Sequence, residues 1–151
     1  MDNHVHLVIK EQDDSISRIM RKIVTSYAIY FNKKYKRVGH VFQDRYRSET
    51  IDNERHLLAV IRYVHNNPVK AGIGNRQEYK WSSYQYYIQK QGNKDQPKIL
   101  DQDEILRIFS DEKDKAIILF KEFSNHEDEG DFMDMNEEED MFDEVEALEY
   151  I

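Results

Sequence analysis

The chain has no cysteine, which excludes a disulfide framework and any thiolate metal site. It has no apolar run of membrane-spanning length and no signal-peptide pattern at its start, so the expected setting is cytoplasmic, with no membrane partner. From His126 to Ile151 there is no Lys or Arg at all, against 13 Asp or Glu. The formal charge of −8 over 151 residues therefore misleads, because residues 1–125 hold 17 acidic against 22 basic side chains. The composition describes one mildly basic domain, long enough to bury a core, with an acidic tail whose makeup is that of a disordered segment.

What the chain does have begins at residues 3–9, Asn3-His4-Val5-His6-Leu7-Val8-Ile9. A run of β-branched and aliphatic residues reads as a strand, in which residues i and i+2 share a face. His4 and His6 are then expected side by side, with Val5, Leu7 and Ile9 toward a core. Two imidazoles on a rigid platform suit a transition metal, and Mg²⁺ or Mn²⁺ if oxygens complete the shell. Alone, a His-x-His pair in a strand is more often packing or solvent-facing.

Asp14 or Ser15 can cap a helix in which Ile16, Ile19, Met20, Ile23, Val24, Tyr27, Tyr30 and Phe31 recur at three- and four-residue spacing. That stripe predicts an amphipathic helix packed on a sheet. From Ile16 to Thr50 there are nine basic residues, namely Arg18, Arg21, Lys22, Lys33, Lys34, Lys36, Arg37, Arg45 and Arg47, and only two acids. Aromatic side chains are interleaved with them. The stretch reads as a solvated helix face or as a phosphate-contacting patch, and the interleaving favours nucleic acid. Gly39 breaks the chain, and residues 41–51 read as a second strand. Asp52 or Asn53 can cap a second helix over residues 54–66, ended by Pro68.

On that helix Tyr63 and Asn67 are one turn apart and share a face if the last turn reaches Asn67. Each alone is ordinary: a tyrosine packing its ring, an asparagine before a proline. With His4 and His6 they make a set of two imidazoles, a side-chain oxygen and a phenol. Three of these could hold a metal that polarises a phosphate oxygen while the phenol attacks phosphorus. Further on, Trp81 to Gln89 reads as a short aromatic helix, and residues 101–109 and 112–123 as two amphipathic helices.

Four motifs then stand in order: Asn3-His4-Val5-His6-Leu7, Gly39-His40-Val41-Phe42-Gln43-Asp44-Arg45-Tyr46, Arg62-Tyr63-Val64-His65-Asn66-Asn67-Pro68-Val69 and Trp81-Ser82-Ser83-Tyr84. In order and spacing they resemble the REP-associated tyrosine transposases, which are single-tyrosine HUH transposases. The resemblance implies an α+β, ferredoxin-like HUH nuclease domain that nicks and rejoins single-stranded or hairpin DNA through a 5′-phosphotyrosine. It implies Tyr63 as nucleophile, His4, His6 and Asn67 as ligands of Mg²⁺ or Mn²⁺, and the nine basic residues above as DNA contacts. Family members carry a strand and a helix before the His-x-His motif, whereas here Met1 stands three residues ahead of His4. The expected organisation is accordingly an N-terminally truncated HUH core over residues 1–95, a helical extension over 96–125 and the tail over 126–151. A homodimer is expected to complete the sheet. Two other readings stay open, a hairpin-binding module without catalysis and another HUH nuclease, a replication initiator or a relaxase.

Overall fold

The computed structural model describes residues 4–89 and 97–126. Helix α1 spans Ile16–Tyr35. Ser15 occupies its N-cap position, but its hydroxyl makes no capping bond, and the Glu11 carboxylate accepts the Ile16 N–H instead. Lys33 and Lys34 lie in the last turn, where the helix dipole favours cations. Lys36 turns the chain out of the helix in a left-handed conformation, φ 51°. Asn32 holds that exit: its carbonyl accepts the Arg37 N–H, and its side-chain amide donates to Gly39 O at 2.9 Å.

Helix α2 spans Glu54–Lys70, and of the two candidate caps it is Asn53 that accepts the His56 N–H, at 2.9 Å. The expected stop at Pro68 is corrected: Pro68 lies inside the helix. A proline this near a C-terminus forfeits one N–H bond without displacing the remaining turn. The following amides close the end, Ala71 N–H on Asn67 O and Ile73 N–H on Pro68 O, both at 2.9 Å. Helices α3 (Tyr84–Tyr87), α4 (Gln102–Phe109) and α5 (Lys113–Asn125) complete the secondary structure of the described residues.

The α+β, ferredoxin-like expectation is overturned. Among the described residues there is no strand and no sheet; residues 4–10 and 45–52 have no regular structure. β-propensity measures how well a side chain packs on cross-strand neighbours more than a backbone preference. No such neighbour among the described residues flanks residues 4–10; of the three side chains expected to face a core, Val5 and Leu7 are exposed and Ile9 is only partly buried. Residues 41–51 fail for a plainer reason, since Asp44, Arg45, Arg47 and Glu49 leave no continuous apolar face. The sheet that α1 was to pack on, and that a second copy was to complete, is thus absent among the described residues. The acidic tail lies outside them from residue 127 onward, as do residues 90–96.

The chain divides into two compact units, Leu7–Thr50 and the remainder. In the first, no residue of α1 is buried. Its internal ties are polar and aromatic: Ser17 Oγ lies 3.0 Å from Tyr46 Oη, and Tyr27 packs on Phe31 and Phe42 at 5.9 and 5.7 Å between ring centroids.

The second unit has a core. Ile61 of α2, Tyr84 and Tyr87 of α3, Ile105 and Leu106 of α4, and Ala116, Ile117 and Phe120 of α5 bury one another. Phe120 is its centre, fully buried, stacked on Tyr87 at 4.9 Å and edge-on to Phe109 at 5.7 Å. A buried phenylalanine of this kind stabilises by roughly 1.5–3 kcal/mol through burial alone. Arg76, in the loop between α2 and α3, ties the unit together. Its guanidinium donates to Asn66 Oδ1 and Asn125 Oδ1, each at 2.6 Å, and to the Ser124 carbonyl, and lies 4.6 Å above the Tyr84 ring. The ends of α2 and α5 are therefore joined through one side chain.

Candidate functional site

Because α2 runs unbroken to Lys70, Tyr63 and Asn67 sit one turn apart on one face. Both are buried, Tyr63 to 7 % and Asn67 to 3 % exposure. The segment that carries the two histidines belongs to the same compact unit as α2. It brings the His6 ring to 5.9 Å from the Tyr63 ring, edge-on at 84°. His4 lies 5.0 Å from His6, also edge-on at 90°. The imidazole pair expected from a strand is thus carried by a segment without regular structure. His6 is half-buried and His4 exposed, so the pair reaches from solvent down to the phenol.

Lys70 adds a cation, its Nζ lying 5.2 Å from the centre of the Tyr63 ring. Sequence reading missed it, although a signal was present, since position i+7 on a helix returns to the same face.

The donor set can be tested against a divalent metal. Among the described residues no group of three or more His, Asp or Glu converges, so a carboxylate-rich cage of the kind Ca²⁺ takes does not form around these residues. Two imidazoles and a carboxamide remain. Asn67 is buried, and among the described residues its Nδ2 has no hydrogen-bond partner, a rare state for a buried donor. Mn²⁺ prefers oxygen ligands such as amide and phosphate oxygen and takes imidazole nitrogen beside them. By donor type alone, two imidazoles and a carboxamide oxygen are groups that such an ion takes.

The other polar groups of α2 and α3 have structural duties. His65 is 3 % exposed and faces the core, ringed by Tyr84, Tyr87 and Phe120 at 5.4, 5.2 and 6.0 Å. Its Nε2 shares a hydrogen bond of 2.9 Å with Ser83 Oγ. Burial, with the Arg76 charge adding to it, pushes the imidazole down to about 3. It is neutral at ordinary pH and points away from Tyr63, so it takes no proton there. Tyr87 is pushed up to about 12 by burial and the Asp101 charge, and Tyr84 is raised mainly by burial. Neither phenol suits attack.

All nine basic residues expected to contact DNA lie in the other unit and are exposed. Asp14 pairs with Arg18 at 3.1 Å and with Lys22 at 2.5 Å. Lys34 lies 5.5 and 5.4 Å over the Tyr30 and Tyr35 rings, and hydrogen bonding to Tyr30 raises its pKa. Arg37 lies 5.7 Å over Phe31. Arg21, Lys33, Lys36, Arg45 and Arg47 complete the set. Such a surface, cations against exposed rings, can take both phosphates and bases.

Residues 1–67 match the protein-family model described as "Transposase IS200 like". The matched segment contains His4, His6 and Tyr63 and ends on Asn67. No curated protein and no solved structure matches the chain. No helix of the described residues is long and apolar enough to cross a membrane. The match supports a transposase-type function.

Proposed function

We propose, from an N-terminal segment that matches the IS200-like transposases, that this chain cleaves and rejoins single-stranded DNA beside a hairpin, with Tyr63 as nucleophile. The REP-associated subtype is the finer reading that the four motifs support. The observation that carries it is the edge-on contact of His6 with Tyr63, made across a long stretch of sequence. Ordinary core packing does not require a histidine that pairs with a second, exposed histidine to be set against a buried tyrosine ring.

In the forward step the Tyr63 Oη, having released its proton to water, attacks phosphorus. An Oη–P bond forms and the bond from phosphorus to the 3′ oxygen breaks, leaving a 5′-phosphotyrosine and a 3′-hydroxyl. Attack of another 3′-hydroxyl on the phosphotyrosine reverses the exchange and completes strand transfer. Free phenols titrate near ~10, so the attack needs electrostatic help. Lys70 supplies one positive charge beside the ring. His4, His6 and Asn67 would hold a divalent ion, Mn²⁺ or Mg²⁺, which when bound polarises phosphate oxygens. The basic residues of α1 and the segment after it hold the strand by its phosphates.

A covalent-trapping assay tests the proposal. Labelled hairpin DNA with a single-stranded flank is incubated with protein and Mn²⁺ and run on a denaturing gel. A shifted band is expected from the native chain and is lost in Tyr63→Phe and in the His4→Ala/His6→Ala double variant. Hairpin binding with no shifted band under any metal would replace the nuclease by a binding module.

A further inference from the structure

We infer that the loop between α2 and α3 carries a stacking site for one nucleobase of a single strand, with Trp81 as its shelf. Trp81 is 76 % exposed. Its exposure is not a consequence of a slack loop. Arg76 anchors the loop to Asn66, Asn125 and the Ser124 carbonyl. Asn75 builds a turn within it, accepting Gln77 N–H on its side chain at 2.9 Å and Tyr79 N–H on its carbonyl at 3.0 Å. Ser82 N–H then closes on Tyr79 O at 3.1 Å. The chain thus fixes this backbone firmly and leaves its largest aromatic side chain in water, while Tyr84 and Tyr87 just beyond it are buried.

The surroundings select the occupant. Trp81 borders an open cleft of about 280 Å³ that also involves Ile73, Asn75, Glu78, Tyr79 and Lys80. That is at the small end of ligand sites and suits a single planar ring system. Lys80 Nζ lies 4.9 Å from the Trp81 ring and supplies a cation where a backbone phosphate would accompany a stacked base. An aromatic shelf with an adjoining cation is the recurrent unit of single-strand binding, tolerant of sequence because every base has a π-face. The Glu78 carboxylate adds a preference, since it can accept from an exocyclic amino group, as on cytosine, and not from thymine.

The inference shares its nucleic-acid partner with the proposed function but needs no bond to be cut. Trp81 is the only tryptophan of the chain, so indole fluorescence reports on this site alone. The test uses the full-length Tyr63→Phe chain, which cannot form the adduct. It is titrated with oligo-dC, oligo-dT, oligo-rC and an abasic sugar-phosphate chain of the same length. Saturating quenching is expected from the base-bearing strands, strongest with cytosine, and not from the abasic chain. Trp81→Ala should weaken oligo-dC binding, read by anisotropy, about tenfold, the effect of removing one stacked base, with Trp81→Phe recovering much of it. Comparable quenching by rC and dC makes the site one for single strands of either sugar. Equal quenching by the abasic chain, or equal anisotropy for the native and Trp81→Ala chains, would overturn the site. Failure of covalent trapping would leave these results untouched, so the two ideas fall separately.

Discussion

Helices α1 and α2 both carry an apolar stripe at helical spacing, yet α2 buries Ile61, Tyr63, His65, Asn67 and Pro68 while α1 buries nothing. The difference lies in the partners that the later chain supplies to each. After α2 come α3, α4 and α5, which wrap Phe120 and its neighbours into a core. In Leu7–Thr50 no second helix exists to cover the first. Periodicity tells which face of a helix is apolar; it does not tell whether a partner is at hand. The unit with the core holds the candidate nucleophile and its ligands, and the unit without one holds the candidate DNA surface. Precision chemistry needs side chains fixed by packing, whereas phosphate contacts tolerate a looser frame.

Truncation in the two units should separate them most sharply. Phe120→Ala empties the centre of the core and is expected to cost about 3–5 kcal/mol, read as a fall in the urea midpoint. Tyr27→Ala, at a side chain 46 % exposed, should change stability by no more than ~0.5 kcal/mol, the usual surface range. Similar losses from both would mean that α1 is covered after all.

Acid should come next. His65 takes a proton near 6.5 when unfolded but not until about 3 when folded. Between those values the unfolded chain binds the extra proton, so stability is complete above 6.5 and drains as pH falls toward 3. The loss is expected to reach a few kcal/mol at the acid end. Urea midpoints measured by near-ultraviolet dichroism across that window should fall, and His65→Gln should flatten the slope while lowering the starting value. A flat native profile would remove the buried neutral imidazole from the account.

The smallest effect belongs to the exposed unit. Changing Lys33, Lys34, Lys36 and Arg37 to Gln should make the salt dependence of single-strand binding shallower by about 0.7 in log–log slope per lost phosphate contact. Adduct yield at saturating DNA should stay as it was. A collapse of adduct yield at saturation would show that these cations act in the chemistry and not only in holding the strand.

The helices were readable from the sequence because their signals are local. Asn53 does cap α2, the α1 stripe does start at Ile16, and α4 and α5 fall within the two amphipathic stretches that spacing marked, to within two residues at the end of α5. The strands were misread because a run such as Val5 to Ile9 specifies only one side of a pairing. Pro68 misled in the opposite way: one missing amide is a strong local stop signal, yet the amides after it closed the helix end. At the candidate site, the four residues reached from the motifs, His4, His6, Tyr63 and Asn67, share one compact unit. Lys70 was recoverable from the helical repeat. Arg76 was not, because its partners Asn66, Ser124 and Asn125 are scattered along the chain and nothing near Arg76 announces them.

Arg76 also sets how short a working piece of this protein can be. The family match stops at residue 67, and a fragment cut there would look sufficient on sequence grounds. It would strip the guanidinium partner from Asn66 and remove every aromatic ring that His65 leans on. The helix that presents Tyr63 is held at its far end by residues as late as Asn125. Anyone producing the candidate nuclease in pieces should therefore expect insoluble material from any fragment ending before that asparagine.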